Sequence, residues 1–148
     1  MTERRPPTSP DTHSNNVVLT YHQTRYTQGD LDISAVTGES VHEHIGNVGT
    51  LFCDDDSLTV VFGNVGTALI NQWSDFYSKG DVDDITITKN STGIVDGNVG
   101  RAKVENGGKL FCTGSVEVPN SDEHGEIVSE KPLAQEHVDF FEKRPYKK

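Results

Sequence analysis

The sequence predicts an all-β fold, a single parallel β-solenoid of about six coils with flexible tails, and three observations lead there. The first is a repeat. Gly29-Asp30-Leu31, Gly46-Asn47-Val48, Gly63-Asn64-Val65, Gly80-Asp81-Val82, Gly97-Asn98-Val99 and Gly114-Ser115-Val116 follow one another at intervals of 17 residues. The chain has 14 glycines in 148 residues. Five further hits at a preset spacing then arise by chance on the order of one time in a hundred thousand, so the period is built in. The second is the unit length. Helical repeats need about 30 residues for two helices and a turn, whereas 17 suit a coil of three short strands. The third is composition between the corners, where VVLTY, LTVVF and DITIT are rich in the β-branched and aromatic residues that favour a pleated backbone.

Along the chain, residues 1–15 hold three of the six prolines, Pro6, Pro7 and Pro10, and read as a disordered leader. The solenoid is expected over 16–128. NVVLTY forms a partial first turn, and units begin at His22, Glu39, Asp56, Trp73, Asn90 and Gly107, the last fraying at Pro119-Asn120. TALINQWSDFYSKG is the one stretch with a rival helical reading, through Leu69, Trp73 and Phe76. Its Gly80 stays in register, which favours a coil. Over 129–148 a tail is expected, in which KPLAQEHVDFFEK sets Leu133, Val138 and Phe141 near one face of a short helix ahead of a basic end.

Columns of equivalent residues indicate the inward side. Leu31, Val48, Val65, Val82, Val99 and Val116 form one core column, and Val36, Cys53, Ile70, Ile87 and Val104 a second, ending at Ser121. A third, Tyr26, Glu43, Val60, Tyr77, Ile94 and Phe111, is apolar at all positions but Glu43 and is also assigned inward. Each buried side chain contributes about 1.5–3 kcal/mol, which lets stacked columns hold a narrow fold. The corner glycines Gly29, Gly46, Gly63, Gly80, Gly97 and Gly114 are placed where a Cβ would obstruct a tight turn. The Asn or Asp beside them can hydrogen-bond from coil to coil.

Several function classes are disfavoured. A net charge of -10, with Lys and Arg scattered except in EKRPYKK, does not make a nucleic-acid surface. Acidity of this kind fits either salt adaptation or the solubility of a polymer-prone chain. No apolar run approaches a membrane span and the start resembles no secretory signal, so a cytoplasmic location is expected. Cys53 and Cys112 lack metal or disulfide spacing and read as small hydrophobes.

No catalytic, cofactor or metal residue is expected. His42 and His44 alternate onto one strand face, as a metal site would need. The matching positions of neighbouring coils carry Arg25, Thr27, Thr59 and Val61, with no third ligand, so the pair is expected on an exposed polar face. Asp54-Asp55-Asp56 sits at a coil junction, where acidic turn residues are ordinary. Ser40, Ser57, Ser74 and Ser91 are a corner column with no accompanying base.

The stretch GNVGRAKVENGGKLFCTGSVEV resembles the core of the bactofilins, polymer-forming cytoskeletal proteins, and the resemblance covers roughly residues 16–128. It implies a right-handed β-solenoid that joins end to end into nucleotide-independent filaments. The partner is then the chain itself, with other scaffold or cell-envelope proteins as further candidates. Open strand edges at solenoid ends support self-pairing independently. Val17, Val18, Leu19, Phe140 and Phe141 are the expected polymer interface. Two alternatives stand beside it. NVGTLFCDDDSLTVVFGNV and NVGRAKVENGGKLFCTGSV resemble the paired rungs of HET-s-type amyloid motifs, which template a partner's fold. In the other, the segment with Phe140 and Phe141 folds over one end, leaving a capped, non-polymerising binding module.

Overall fold

The computed structural model describes residues 15–143, so the expected leader up to residue 14 and the basic end from residue 144 lie outside the described residues. The chain winds as a β-solenoid of about seven turns. Each coil contributes two strands rather than the three expected from its length. One sheet is built from β1 (Asn16–Leu19), β3 (Leu31–Val36), β5 (Val48–Cys53), β7 (Val65–Ile70), β9 (Val82–Ile87), β11 (Val99–Val104) and β13 (Val116–Ser121). The other stacks β2 (Thr24–Gln28), β4 (Val41–Ile45), β6 (Leu58–Phe62), β8 (Asp75–Ser78), β10 (Thr92–Val95), β12 (Lys109–Cys112) and β14 (Glu126–Val128). All pairings are parallel and shifted by one unit, as in Val48↔Val65 and Val60↔Tyr77. NVVL supplies β1, and TALINQWSDFYSKG supplies β7 and β8.

Two unlike corners explain why two strands suffice. The short corner is the Gly-polar pair. A Cβ on Gly46, Gly63, Gly80, Gly97 or Gly114 would come within 3.0 Å of the carbonyl oxygen of the corner glycine one coil earlier. Only Gly29 and Gly46 of the six have positive φ, so close approach between coils is the shared reason for glycine there. The neighbouring Asn and Asp side chains accept backbone N–H groups from the next coil: Asn64 N to Asn47 Oδ1 at 3.0 Å, Asp81 N to Asn64 Oδ1 at 2.8 Å, Asn98 N to Asp81 Oδ1 at 2.9 Å.

The long corner holds two successive residues in the left-handed region, among them Asp55 and Asp56, Gln72 and Trp73, Lys89 and Asn90. Left-handed backbone costs a non-glycine residue about 1–2 kcal/mol. Stacking offsets it, because each corner is tied to the next by bonds such as Asp56 N to Gln72 O at 2.9 Å and Trp73 N to Lys89 O at 3.0 Å. Beside it the serine column makes a buried ladder: Gln23 N donates to Ser40 Oγ, Ser40 N to Ser57 Oγ, Ser57 N to Ser74 Oγ and Ser74 N to Ser91 Oγ, at 3.1–3.2 Å. Ser57→Ala leaves the buried Ser40 N–H without its acceptor. The expected cost is about 1–3 kcal/mol by denaturant unfolding; an unchanged midpoint would count against the ladder.

The lumen takes more columns than the sequence revealed. Val48, Val65, Val82 and Val99 are buried, as are Val36, Cys53, Ile70, Ile87 and Val104. Between them lies a further inward column, Ser34, Leu51, Ala68, Ile85 and Ala102. Inward positions within one strand are thus Val48, Leu51 and Cys53, a spacing that simple alternation forbids. Pairing skips Gly49 and Gly66, where the ladder shifts phase. A Cβ at Gly66 or Gly100 would lie 2.6 Å from the carbonyl oxygen above it, of Gly49 or Asp83 respectively.

The column of Tyr26, Glu43, Val60, Tyr77, Ile94 and Phe111 departs from its inward assignment, and Tyr26 at its start is 48% exposed. Thr59, Val61, Phe76, Ser78, Val95, Leu110 and Cys112 fill the lumen side of the second sheet, so the alternate residues point outward. Val60, Tyr77, Ile94 and Phe111 are covered there by the C-terminal segment. Helix α1 (Gln135–Glu142) lays Phe141 against Val60 and Ile94, with Leu58, Phe62, Tyr77 and Phe111 around it. Tyr77 stacks on Phe140 with ring centroids 3.8 Å apart, and Lys79 Nζ lies 5.2 Å from the centre of the Phe141 ring. Val138 is exposed, contrary to its expected place on the buried face.

Candidate assembly surfaces and a buried imidazole pair

Each sheet ends in a strand whose outer edge meets no other strand among the described residues: β1 and β2 at the N-terminal end, β13 and β14 at the C-terminal end. On β1, Leu19 O accepts from Thr37 N at 2.9 Å. By alternation the N–H and C=O of Val18 face away from β3, along the open edge, and its side chain is 59% exposed. Tyr21 beside it is also exposed. At the other end Asp122 N donates to Val104 O at 3.2 Å. The same alternation puts Pro119, which has no N–H, at a position facing the open edge. That end is acidic, with Glu117, Asp122, Glu123, Glu126 and Glu130 against Lys131.

Four of the five residues expected at a polymer interface are engaged within the fold. Val17 and Leu19 are buried in the lumen with Val36, and Phe140 and Phe141 are engaged on the outer face of the second sheet. Of the five, only Val18 presents its side chain at an end. Capping by Phe140 and Phe141 is also corrected: both rings lie on a side of the solenoid, because the apolar strip they pack on runs across β6, β8, β10 and β12.

His42 and His44 are not on an exposed face. Both are fully buried in the lumen. With both rings neutral, their hydrogen bonds leave one arrangement of protons. His44 Nε2 lies 2.6 Å from Gly29 O, which can only accept, so His44 donates there. Its Nδ1 then accepts from Thr27 Oγ1 at 2.7 Å, Thr27 Oγ1 accepts from His42 Nε2 at 2.7 Å, and Ser34 Oγ donates to His42 Nδ1 at 2.8 Å. Burial favours the neutral form of both rings. Burial, with repulsion from His44 and Arg25, lowers the pKa of His42 to about 4. Burial also lowers that of His44, opposed in part by its bond to the Gly29 carbonyl. Ser34 and His42 have the hydroxyl–imidazole geometry of a nucleophile and base, yet both are sealed from solvent and a substrate has no approach. Thr27 was visible in the sequence only as a neighbour in register; Ser34, from the other sheet, was not visible at all.

The remaining candidates are structural. Asp55 and Asp56 occupy the left-handed corner, and Asp54 Oδ1 accepts from Asp55 N at 2.9 Å. Cys53 and Cys112 are buried free thiols; burial pushes Cys53 up to about 12 and raises Cys112, so both are protonated at neutral pH. Among the described residues no group of three or more His, Cys, Asp or Glu is placed to hold a metal ion, and no helix is long and apolar enough to cross a membrane.

Comparison of the chain with protein-family models, with curated proteins and with solved structures finds no match.

Proposed function

We propose that the protein is a structural subunit that assembles end to end, without nucleotide, into filaments of a cytoplasmic scaffold. The observation that carries this reading is the pair of open ends: among the described residues no strand lies against the outer edges of β1, β2, β13 and β14, and α1 is engaged on the side of the solenoid. An uncovered strand edge gains hydrogen bonds by pairing with another chain, and a second copy offers edges of matching spacing. The solenoid fold agrees with the bactofilin resemblance. The N-terminal edge is the stronger donor surface, because Val18 keeps its N–H whereas Pro119 has none.

The test is negative-stain microscopy and sizing of the wild type and Val18→Lys without nucleotide. Filaments are expected from the wild type, and a soluble, β-rich, non-assembling protein from Val18→Lys, since a charge on an edge strand opposes pairing. Filaments from the variant would reject this interface. A protein disordered until it joins a fibre would favour the amyloid alternative instead. One observation favours a second reading, a discrete small assembly: Pro119 and the acidic cluster protect the C-terminal edge, so growth through that end is opposed.

A further inference from the structure

The lumen is not one continuous apolar core. The main cluster runs from Val48 to Cys112, and a small one holds Val17, Leu19 and Val36; among the described residues, Leu31 packs against both. The layer between them is polar: Thr27, Ser34, His42 and His44, all joined in the one directed chain. The N-terminal coils are thus held to the rest by a thin apolar contact, by strand pairing and by two neutral imidazoles.

We propose that the His42–His44 pair is an acid-sensitive latch, whose protonation opens the coils of β1 to β4 while the later coils stay folded. A proton on His44 Nδ1 would reverse the chain, with Thr27 Oγ1 accepting from His44 and donating to His42 Nε2, so that His42 Nδ1 carries a proton toward Ser34. A proton on His42 Nδ1 would turn the Ser34 hydroxyl away from its acceptor. Either way a charge enters a buried layer in which hydroxyls and a backbone carbonyl, and no carboxylate, are hydrogen-bonded to the rings. The charged groups near the pair are Arg25 on β2, which opposes a proton on His42, and Asp30 in the corner after β2, which favours one on His44. Glu43 lies on the opposite face of β4. Ser34, Leu51, Cys53, Thr59 and Val61, facing the pair from β3, β5 and β6, carry no charge at neutral pH.

The sign follows from burial. The folded rings bind protons less readily than the unfolded chain, so stability is fully present above the ordinary histidine pKa and is lost as pH falls from there toward 4. Because the latch sits under the N-terminal edge, acid would also disable the end assigned above to self-association; this consequence alone rests on the assembly reading.

The experiment is amide hydrogen exchange, as protection factors, at about pH 7 and about pH 4, with sizing of the same samples. Wild-type β2 to β4 should lose protection about tenfold or more relative to β8 to β12. The double variant His42→Thr, His44→Val, which gives β4 the residues of β6 at these positions, should lose none. Retained protection in the wild type, uniform loss through all coils, or equal loss in the variant would overturn the latch. Should the variant fail to fold, the wild-type ring signals decide: titration at the ordinary histidine pKa with β2 to β4 still protected rejects the proposal. Acid opening in a chain that stays single-copy keeps the latch and rejects end-to-end assembly. Filaments persisting in acid with β2 to β4 protected do the reverse.

Discussion

Val82→Asp is expected to destabilise the solenoid by about 4 kcal/mol and to lower its thermal midpoint by roughly 10 °C. Val82 is 1% exposed and is paired in register between Val65 and Val99, in the middle of the main core cluster. A carboxylate there has no partner in an apolar column, so it must either ionise in a low dielectric or bind a proton, and both disfavour the fold. Interfaces between coils carry much of a repeat protein's stability, and a central defect weakens two of them. Lys103→Asp, on the exposed face of β11, is the control and should stay within about 0.5 kcal/mol. Melting of Val82→Asp alongside the wild type would remove this column from the core.

Phe141→Ala should release α1 from the solenoid, with a local cost of about 3 kcal/mol. Phe141 is 2% exposed, packs on Val60 and Ile94, and meets Phe62 and Tyr77 edge to face at centroid distances of 6.1 and 5.5 Å. The strip beneath it, from Leu58 to Phe111, would then be open to water, and a patch of that kind binds apolar dyes and associates. The expected readout is a rise in dye fluorescence and faster exchange of α1 amides, with the strand amides of both sheets still protected. Unchanged dye binding and a protected helix would mean that another contact holds this segment.

Much of the architecture was legible because a solenoid repeats its geometry as strictly as its sequence. Gly63-Asn64-Val65 and its equivalents set the coil length, and each unit start from His22 to Gly107 coincides with a left-handed corner residue. The number of strands per coil was not legible, since 17 residues can be divided among either two or three strands. What decides is the backbone of the long corner, where ordinary residues such as Gln72 and Lys89 take positive φ under the constraint of their stacked neighbours.

The sequence by itself determined the period, the parallel one-unit register and the two columns headed by Leu31 and Val36, all of which are properties of a single coil copied along an axis. Which face of the second sheet is the lumen was decided only by tertiary structure. Alternation marks two faces without saying which is inside, and here both are buried: one by the opposite sheet, the other by α1. Val60 and Ile94 therefore carry a core signature on the outside, while His42 and His44 carry a surface signature on the inside. Polar rings can sit there because Ser34, Thr27 and the Gly29 carbonyl, drawn from two sheets and a corner, converge to satisfy every ring nitrogen. That convergence depends on the winding of the coil, and no spacing along the chain encodes it directly.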